Sequence, residues 1–362
     1  MLNNSNVTAP PSEKVEDQEL ECSRVLFIIY VGIFGPIVIF GIIGNTLSFM
    51  VLSWEKHNRV ATFLLQCLAL TDSLFLFISG ICQIFPAMTI YLQALSIKNM
   101  IQPYIQVIFW PFVHITQFLT VWMTVLVAFN RYIAICRPFR ANQLCTKRKV
   151  RLQVGLLVLF SVVYCIPRFF EVKLESLPNS TYMESKQRDF VQNKVYKYTY
   201  EVVVYLLVVL LIPLILLIFL NTHLIRELIA ARNRRLKRSI GGEDDDEEQN
   251  LTLVMVVIVL VFIFCQTPAF LNQLLFVIIG HTQYYCVSAY FIFFQCSNLI
   301  VCANSAANFV IYYAFRKQFR GRLAAFCGRK RLSDSAYHQV ALVERNGTRI
   351  SDNGVERLHD HT

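Results

Sequence analysis

The polar side chains that interrupt the long apolar runs of this 362-residue chain are few: chiefly Asn45, Asp72, His114, Thr120, Arg131, Gln266, Asn304, Ser305 and Asn308. Arg131 stands near the end of LTVWMTVLVAFNRYIAICRPF, residues 119–139. A guanidinium near hydrocarbon costs several kcal/mol unless it is paired or faces an internal cavity, so Arg131 with Tyr132 marks a functional site. Asp72 poses the same question, because a buried carboxylate must be paired, protonated or metal-bound. No lysine lies in the last apolar run, so a retinal Schiff base has no nucleophile there. A transporter or channel is the reading from another class. It would carry more mid-membrane charge and a repeat between halves, and neither is visible.

These side chains need apolar helices to hold them, and the composition supplies them. The chain is 55% hydrophobic and 16% charged, with mean hydropathy +0.48, outside what a soluble domain needs to cover its surface. Seven segments match the roughly 20 residues that cross hydrocarbon: about 25–53, 60–90, 104–136, 149–168, 200–230, 250–279 and 287–313. An odd number puts the termini on opposite sides. Of 34 Lys and Arg, 24 fall in 54–59, 137–151, 226–249 and the C-terminal tail, nine lie opposite, and Arg131 is inside a span. That bias makes the N-terminus extracellular. It also explains the net charge of +10 without a nucleic-acid partner.

The expected organisation follows. Residues 1–24 form a polar extracellular tail with sequons at Asn3 and Asn6 and no signal-peptide core, so the first span does the targeting. Residues 25–313 form the bundle. The polar 168–199 loop carries a further sequon at Asn179 and is placed to cover a binding site. Segment 226–248 reads as solvated helix extensions joined at Gly241-Gly242. Residues 314–327 form a short amphipathic helix along the membrane lipid, with Cys327 as a palmitoylation candidate. Residues 328–362 are an expected disordered cytoplasmic tail, with Ser333, Ser335, Thr348 and Ser351 open to phosphorylation. Most of the 11 cysteines lie in apolar runs and act as small hydrophobes.

Six motifs occur in order: Gly44-Asn45, LALTD ending at Asp72, NRY at 130–132, Pro213, FxxCxxP at Phe262, Cys265 and Pro268, and NSAANFVIY at 304–312. Together they resemble the rhodopsin-like (class A) G-protein-coupled receptors over about residues 25–327. IPRFFE at 166–171, TVLVAFNRYIAICRPFRA at 124–141 and NSAANFVIYYAFRKQF at 304–319 are similar to the FMRFamide-type neuropeptide receptors of invertebrates. Three departures are shared with that group. Phe309 replaces a proline, Asn221 replaces a tyrosine, and Gln106 stands where most receptors open the third span with a cysteine. Since 168–199 has no cysteine either, the usual tether of that loop is absent. Cys22 and Cys286 are then candidates to pair outside the membrane.

The resemblance implies a receptor and not an enzyme, in the plasma membrane, coupling an extracellular peptide to a heterotrimeric G protein, with arrestin and receptor kinases as further partners. A class A receptor for another peptide or a lipid is the nearer alternative. The resemblance assigns no cofactor beyond an allosteric sodium ion on Asp72, Thr120, Asn304, Ser305 and Asn308. It makes Arg131, Tyr132, Pro213, Phe262, Pro268 and Tyr312 the activation switch. Asn130 stands where the family has an acid, so Glu248, 20 residues or about 30 Å of helix before Pro268, is the expected partner of Arg131. Arg131, Pro138 and Phe139 are the expected G-protein contacts. The ligand pocket is expected from Val113, His114, Gln117, Glu171, Tyr205, Gln266, Phe270, Gln273 and Asn298. Val113 takes the place of the aspartate of amine receptors, and the amides and rings suit a peptide ending in amidated Phe.

Overall fold

A computed structural model of the chain describes residues 12–54, 59–176, 182–238, 243–279, 288–326 and Gly328. Among them, seven helices are long and apolar enough to cross a membrane: Leu20–Ser53, Val60–Tyr91, Leu95–Cys136, Lys147–Phe170, Tyr198–Glu227, Val256–Leu275 and Ala289–Phe315. The chain is a seven-transmembrane bundle, as the apolar runs require. Each expected span lies on one of these helices, but two boundaries change. Helix Ser12–Phe27 crosses the expected tail boundary at 24 and runs on into the first span. Helix Leu95–Tyr104 starts the third span before residue 104. The fifth and sixth spans continue to Arg238 and from Glu243, as the polar extensions suggested; Gly241 and Gly242 lie outside the described residues.

One loop adds a short two-stranded sheet to the helical bundle. The 168–199 loop folds into an antiparallel hairpin of β1 (Val172–Ser176) and β2 (Met183–Gln187), with Val172 opposite Gln187 and Glu175 opposite Glu184. Glu175 lies 3.0 Å from Lys186 and 3.6 Å from Lys173. The hydrogen bond to Lys186 lowers the Glu175 carboxyl below its ordinary range and raises the Lys186 ammonium.

The third span is the axis of the bundle. In its apolar window 67% of residues are buried by protein, against 17% in the fourth, which is mostly lipid-facing. Phe34, Phe75, Leu76, Val113 and Cys302 belong to one core cluster joining spans one, two, three and seven. Phe118, Val121, Leu217 and Phe262 belong to another joining three, five and six. Spans one and seven meet closely at Gly44, where a Cβ would sit 2.8 Å from that of Phe309. Outer parts of spans one, three and five widen into π-helix at Ile28–Phe34, Ile105–Phe109, Lys197–Val204 and Leu206–Leu211, a winding frequent at functional sites.

Beyond Phe315 the described residues belong to a separate unit. In it, helix Lys317–Phe326 carries Phe319, Leu323 and Phe326 at spacings of four and three, the amphipathic pattern expected.

Candidate functional site

A cavity of about 580 Å³ opens among the outer halves of the spans. Val113, His114, Gln117, Tyr205, Gln273 and Asn298 line it, as expected. Gln117 on the third span donates to the Tyr205 hydroxyl on the fifth at 3.3 Å, so this wall is a cross-helix hydrogen bond. Gln266, Phe270 and Glu171 are not part of the lining. Gln266 is buried about two helical turns before Gln273 on the sixth helix, with Oε1 lacking a partner. Glu171 is held outside the cavity by Arg168 at 3.0 Å and by the Tyr196 hydroxyl at 2.8 Å. Burial and that carboxylate raise the Tyr196 phenol above its ordinary value.

Sequence reasoning missed Tyr30, Arg168, Asn272 and Gln295 in the lining. Tyr30 donates to Gln295 Oε1, clipping the first span to the seventh. Asn272 is buried with Oδ1 unpartnered against the cavity. Amides inside apolar runs were a signal for Asn272 and Gln295; for Tyr30 there was none, because its tyrosine reads as ordinary span. The guanidinium of Arg168 lies 5.1 Å over the Tyr200 ring. Among the described lining residues there is no Asp or Glu. The polar surface offered to a ligand is therefore carboxamide and ring, with one arginine already balanced by Glu171.

The hairpin is fastened at the position that lacks a cysteine. Ser185 of β2 donates to Gln106 Oε1, which replaces a covalent bond between hairpin and third span by a hydrogen bond. Cys22 is disulfide-bonded. Its expected partner Cys286 lies outside the described residues, as do Asn3, Asn6, Asn179 and Cys327.

Deeper in the bundle, Asp72 is fully buried and its Oδ2 accepts from Asn308 Nδ2 at 2.6 Å. The Ser305 and Thr120 hydroxyls face the same carboxyl. Neither completes a hydrogen bond of good geometry, so Asp72 Oδ1, Thr120 Oγ1 and Ser305 Oγ are buried oxygens without partners. Asn304 is buried on the same helix. Asn45 braces the site by donating to the Ser305 carbonyl at 2.8 Å. Four of the five expected residues thus converge directly. One carboxylate oxygen and two hydroxyl oxygens left over at this point are a donor set that a hard monovalent cation accepts. Groups of three or more His, Cys, Asp or Glu that could hold another metal are absent among the described residues.

At the cytoplasmic end Arg131 is 3% exposed. Tyr132 packs with the Phe219 and His223 rings, at centroid distances of 6.5 and 6.0 Å. Asn130 donates to the Leu126 carbonyl at 2.9 Å and to Gln153 Oε1 at 3.2 Å, so it braces the fourth span. Glu248 lies on the continuous helix Glu243–Ile279 with Pro268; its side chain, and hence the expected pairing with Arg131, falls outside the described residues. Pro213, Phe262 and Tyr312 are buried in the fifth, sixth and seventh spans. Pro138 opens helix Pro138–Leu144, and Phe139 behind it is 93% exposed.

Comparison with known proteins agrees with this arrangement. The family described as 7 transmembrane receptor (rhodopsin family) matches residues 44–312. A Drosophila melanogaster protein named FMRFamide receptor is 27% identical over 92% of this chain and 61% of its own length, so the chain spans under two thirds of that relative. The Caenorhabditis elegans FMRFamide peptide receptor frpr-18 is 29% identical over 85% of this chain and 69% of its own. The mouse neuromedin-U receptor 2 is 24% identical over 80% of the chain and 72% of its own.

Proposed function

The chain belongs to the rhodopsin family of seven-transmembrane receptors, and we propose that it is a plasma-membrane receptor for an extracellular neuropeptide with an amidated aromatic C-terminus. The observation that carries this reading is the outer cavity, lined by Gln117, Asn272, Gln273, Gln295 and Asn298 with no described carboxylate. Carboxamides offer both donor and acceptor to a terminal amide, and the rings of Tyr30, Trp110 and Phe294 receive an aromatic side chain. A small monoamine finds no counter-ion, since Val113 is buried in the wall. Two relatives named for FMRFamide favour an RF-amide ligand, whose basic side chain would have to compete with Arg168 for Glu171 at the rim.

Ligand binding shifts the bundle toward a state in which Arg131 lines a cavity for the Gα C-terminus, with Pro138 and Phe139 as the second contact, so that nucleotide exchange follows. The phosphorylated tail would then recruit arrestin after receptor kinases act. The decisive measurement is GTPγS binding in membranes of transfected cells exposed to a peptide library with each member in amide and free-acid form. Amidated peptides ending in Arg-Phe should be the active class. Responses confined to free acids or to lipids would refute the reading.

Asp72, Thr120, Ser305 and Asn308, with Asn304 beside them, would hold a sodium ion that supplies the charge the buried carboxylate lacks. Raising sodium should weaken agonist binding in the wild type, and Asp72→Asn should lose the effect. Equal sodium sensitivity in both would rule the site out.

A further inference from the structure

A second cavity, of about 200 Å³, lies at the opposite end of the bundle from the ligand pocket, between the first, second and fourth spans. Its walls include Ser53 at the end of the first span, Thr62, Phe63 and Gln66 at the start of the second, and Lys147 and Arg151 in the first turns of the fourth. This is the face that holds 24 of the basic residues. Lys147 and Arg151 are four residues apart on helix Lys147–Cys165 and so share a face. The Arg151 guanidinium is held 5.9 Å over the Phe63 ring, which fixes its direction. Gln66 Nε2 donates to Ser53 Oγ at 2.8 Å and closes the wall between the first two spans.

Among the described residues the charge in this cavity is unbalanced. No described lining residue is acidic. Among the described residues no carboxylate reaches Lys147, Arg148, Lys149 or Arg151 within ion-pair distance. The fourth span also begins here, with Thr146 capping it, so its free N–H groups add positive potential. Below the cations the same helix exposes Leu152, Leu156, Leu159 and Phe160. Cations at headgroup depth above an apolar lipid-facing strip match the two parts of an anionic lipid. A volume of about 200 Å³, several times the ~30 Å³ share of one water, takes a phosphate group but not a whole lipid.

We propose that this cavity binds a phosphomonoester anion carried on the headgroup of a cytoplasmic-leaflet lipid, with Lys147 and Arg151 as its ligands and Phe63 as the platform that orients Arg151. A phosphomonoester carries more charge than a diester and so distinguishes a polyphosphorylated inositol lipid from phosphatidylserine. By bridging the first, second and fourth spans it would favour whichever arrangement of those helices keeps the cavity closed around it.

The test uses the full-length receptor in nanodiscs with a fluorescent phosphatidylinositol 4,5-bisphosphate as probe. At about fivefold per cation, K147Q/R151Q should weaken binding by about 25-fold. R137Q/R140Q removes the same charge outside the cavity and should change it less than about threefold. Arg151→Lys keeps the charge but loses the planar stack, and should fall between them, which guards against a misfolded double variant. Equal losses in the two double variants would show diffuse surface attraction and overturn the proposal. Phosphatidylserine binding as tightly would overturn the phosphomonoester assignment. Soluble inositol 1,4,5-trisphosphate binding as tightly as the lipid would overturn the lipid source.

Discussion

Asn130 has the same outline as the carboxylate the family places before its arginine, but the opposite hydrogen-bonding role. Its Nδ2 donates to Leu126 O and to Gln153 Oε1, while Oδ1 has no partner. The side chain spends its polarity on the fourth span and brings no negative charge to Arg131. Restraint of Arg131 is therefore expected from the sixth helix, where Glu248 lies. Asn130→Asp would add an acid beside Arg131 and oblige the Gln153 amide to turn and donate. Ligand-free GTPγS binding should fall about threefold, the effect of the ~0.7 kcal/mol of a modest ion pair. An unchanged or higher baseline would show that the missing acid does not matter here.

Between elements, the first and seventh spans show how one departure is accommodated. Most receptors of this type have proline where Phe309 stands; here the Phe309 ring lies edge-on to Phe40, at 6.1 Å, and its Cβ fills the space left by Gly44. An alanine at 44 would place Cβ atoms 2.8 Å apart, so the helices must separate. Gly44→Ala should cost about 1–3 kcal/mol of stability in detergent. On a Phe309→Gly background, which removes the opposing Cβ, the same change should cost little beyond the loss from Phe309→Gly itself, a coupling of about 1 kcal/mol or more in the double-mutant cycle. Additive losses in melting temperature would place the strain elsewhere.

The same scale separates what was legible in the sequence from what was not. Apolar runs of membrane length reveal spans because nothing else tolerates them, and the polar residues within them pointed to Asp72, Asn308 and Arg131 directly. The hairpin was hidden, since Lys173 to Gln187 is a mixture of charges without an alternating apolar face. The Ser185 to Gln106 bond joins residues 79 apart that carry no shared signature. The pocket was half legible for a geometric reason: Gln266 is seven residues, about 10 Å of helix, from Gln273, and only Gln273 lines the cavity. Glu171 reads as a ligand acid until the fold places Arg168 and Tyr196 on it.

On the proposed function, the outer cavity and the cytoplasmic surface communicate only through the bundle, so affinity at one end and exchange at the other would be linked by one equilibrium. Phe139 gives access to that linkage without disturbing the fold. At 93% exposure it contributes no packing, and its removal leaves no void. Phe139→Ala should therefore express and melt like the wild type and bind agonist equally in the absence of G protein. An aromatic anchor of an interface is worth about 2 kcal/mol or more, so agonist-driven nucleotide exchange should fall about 30-fold. Because agonist and G protein are linked through one binding equilibrium, the gain in agonist affinity at a fixed, sub-saturating G-protein concentration should shrink as well. Lost exchange with an unchanged affinity shift would show that Phe139 acts on a step other than G-protein binding.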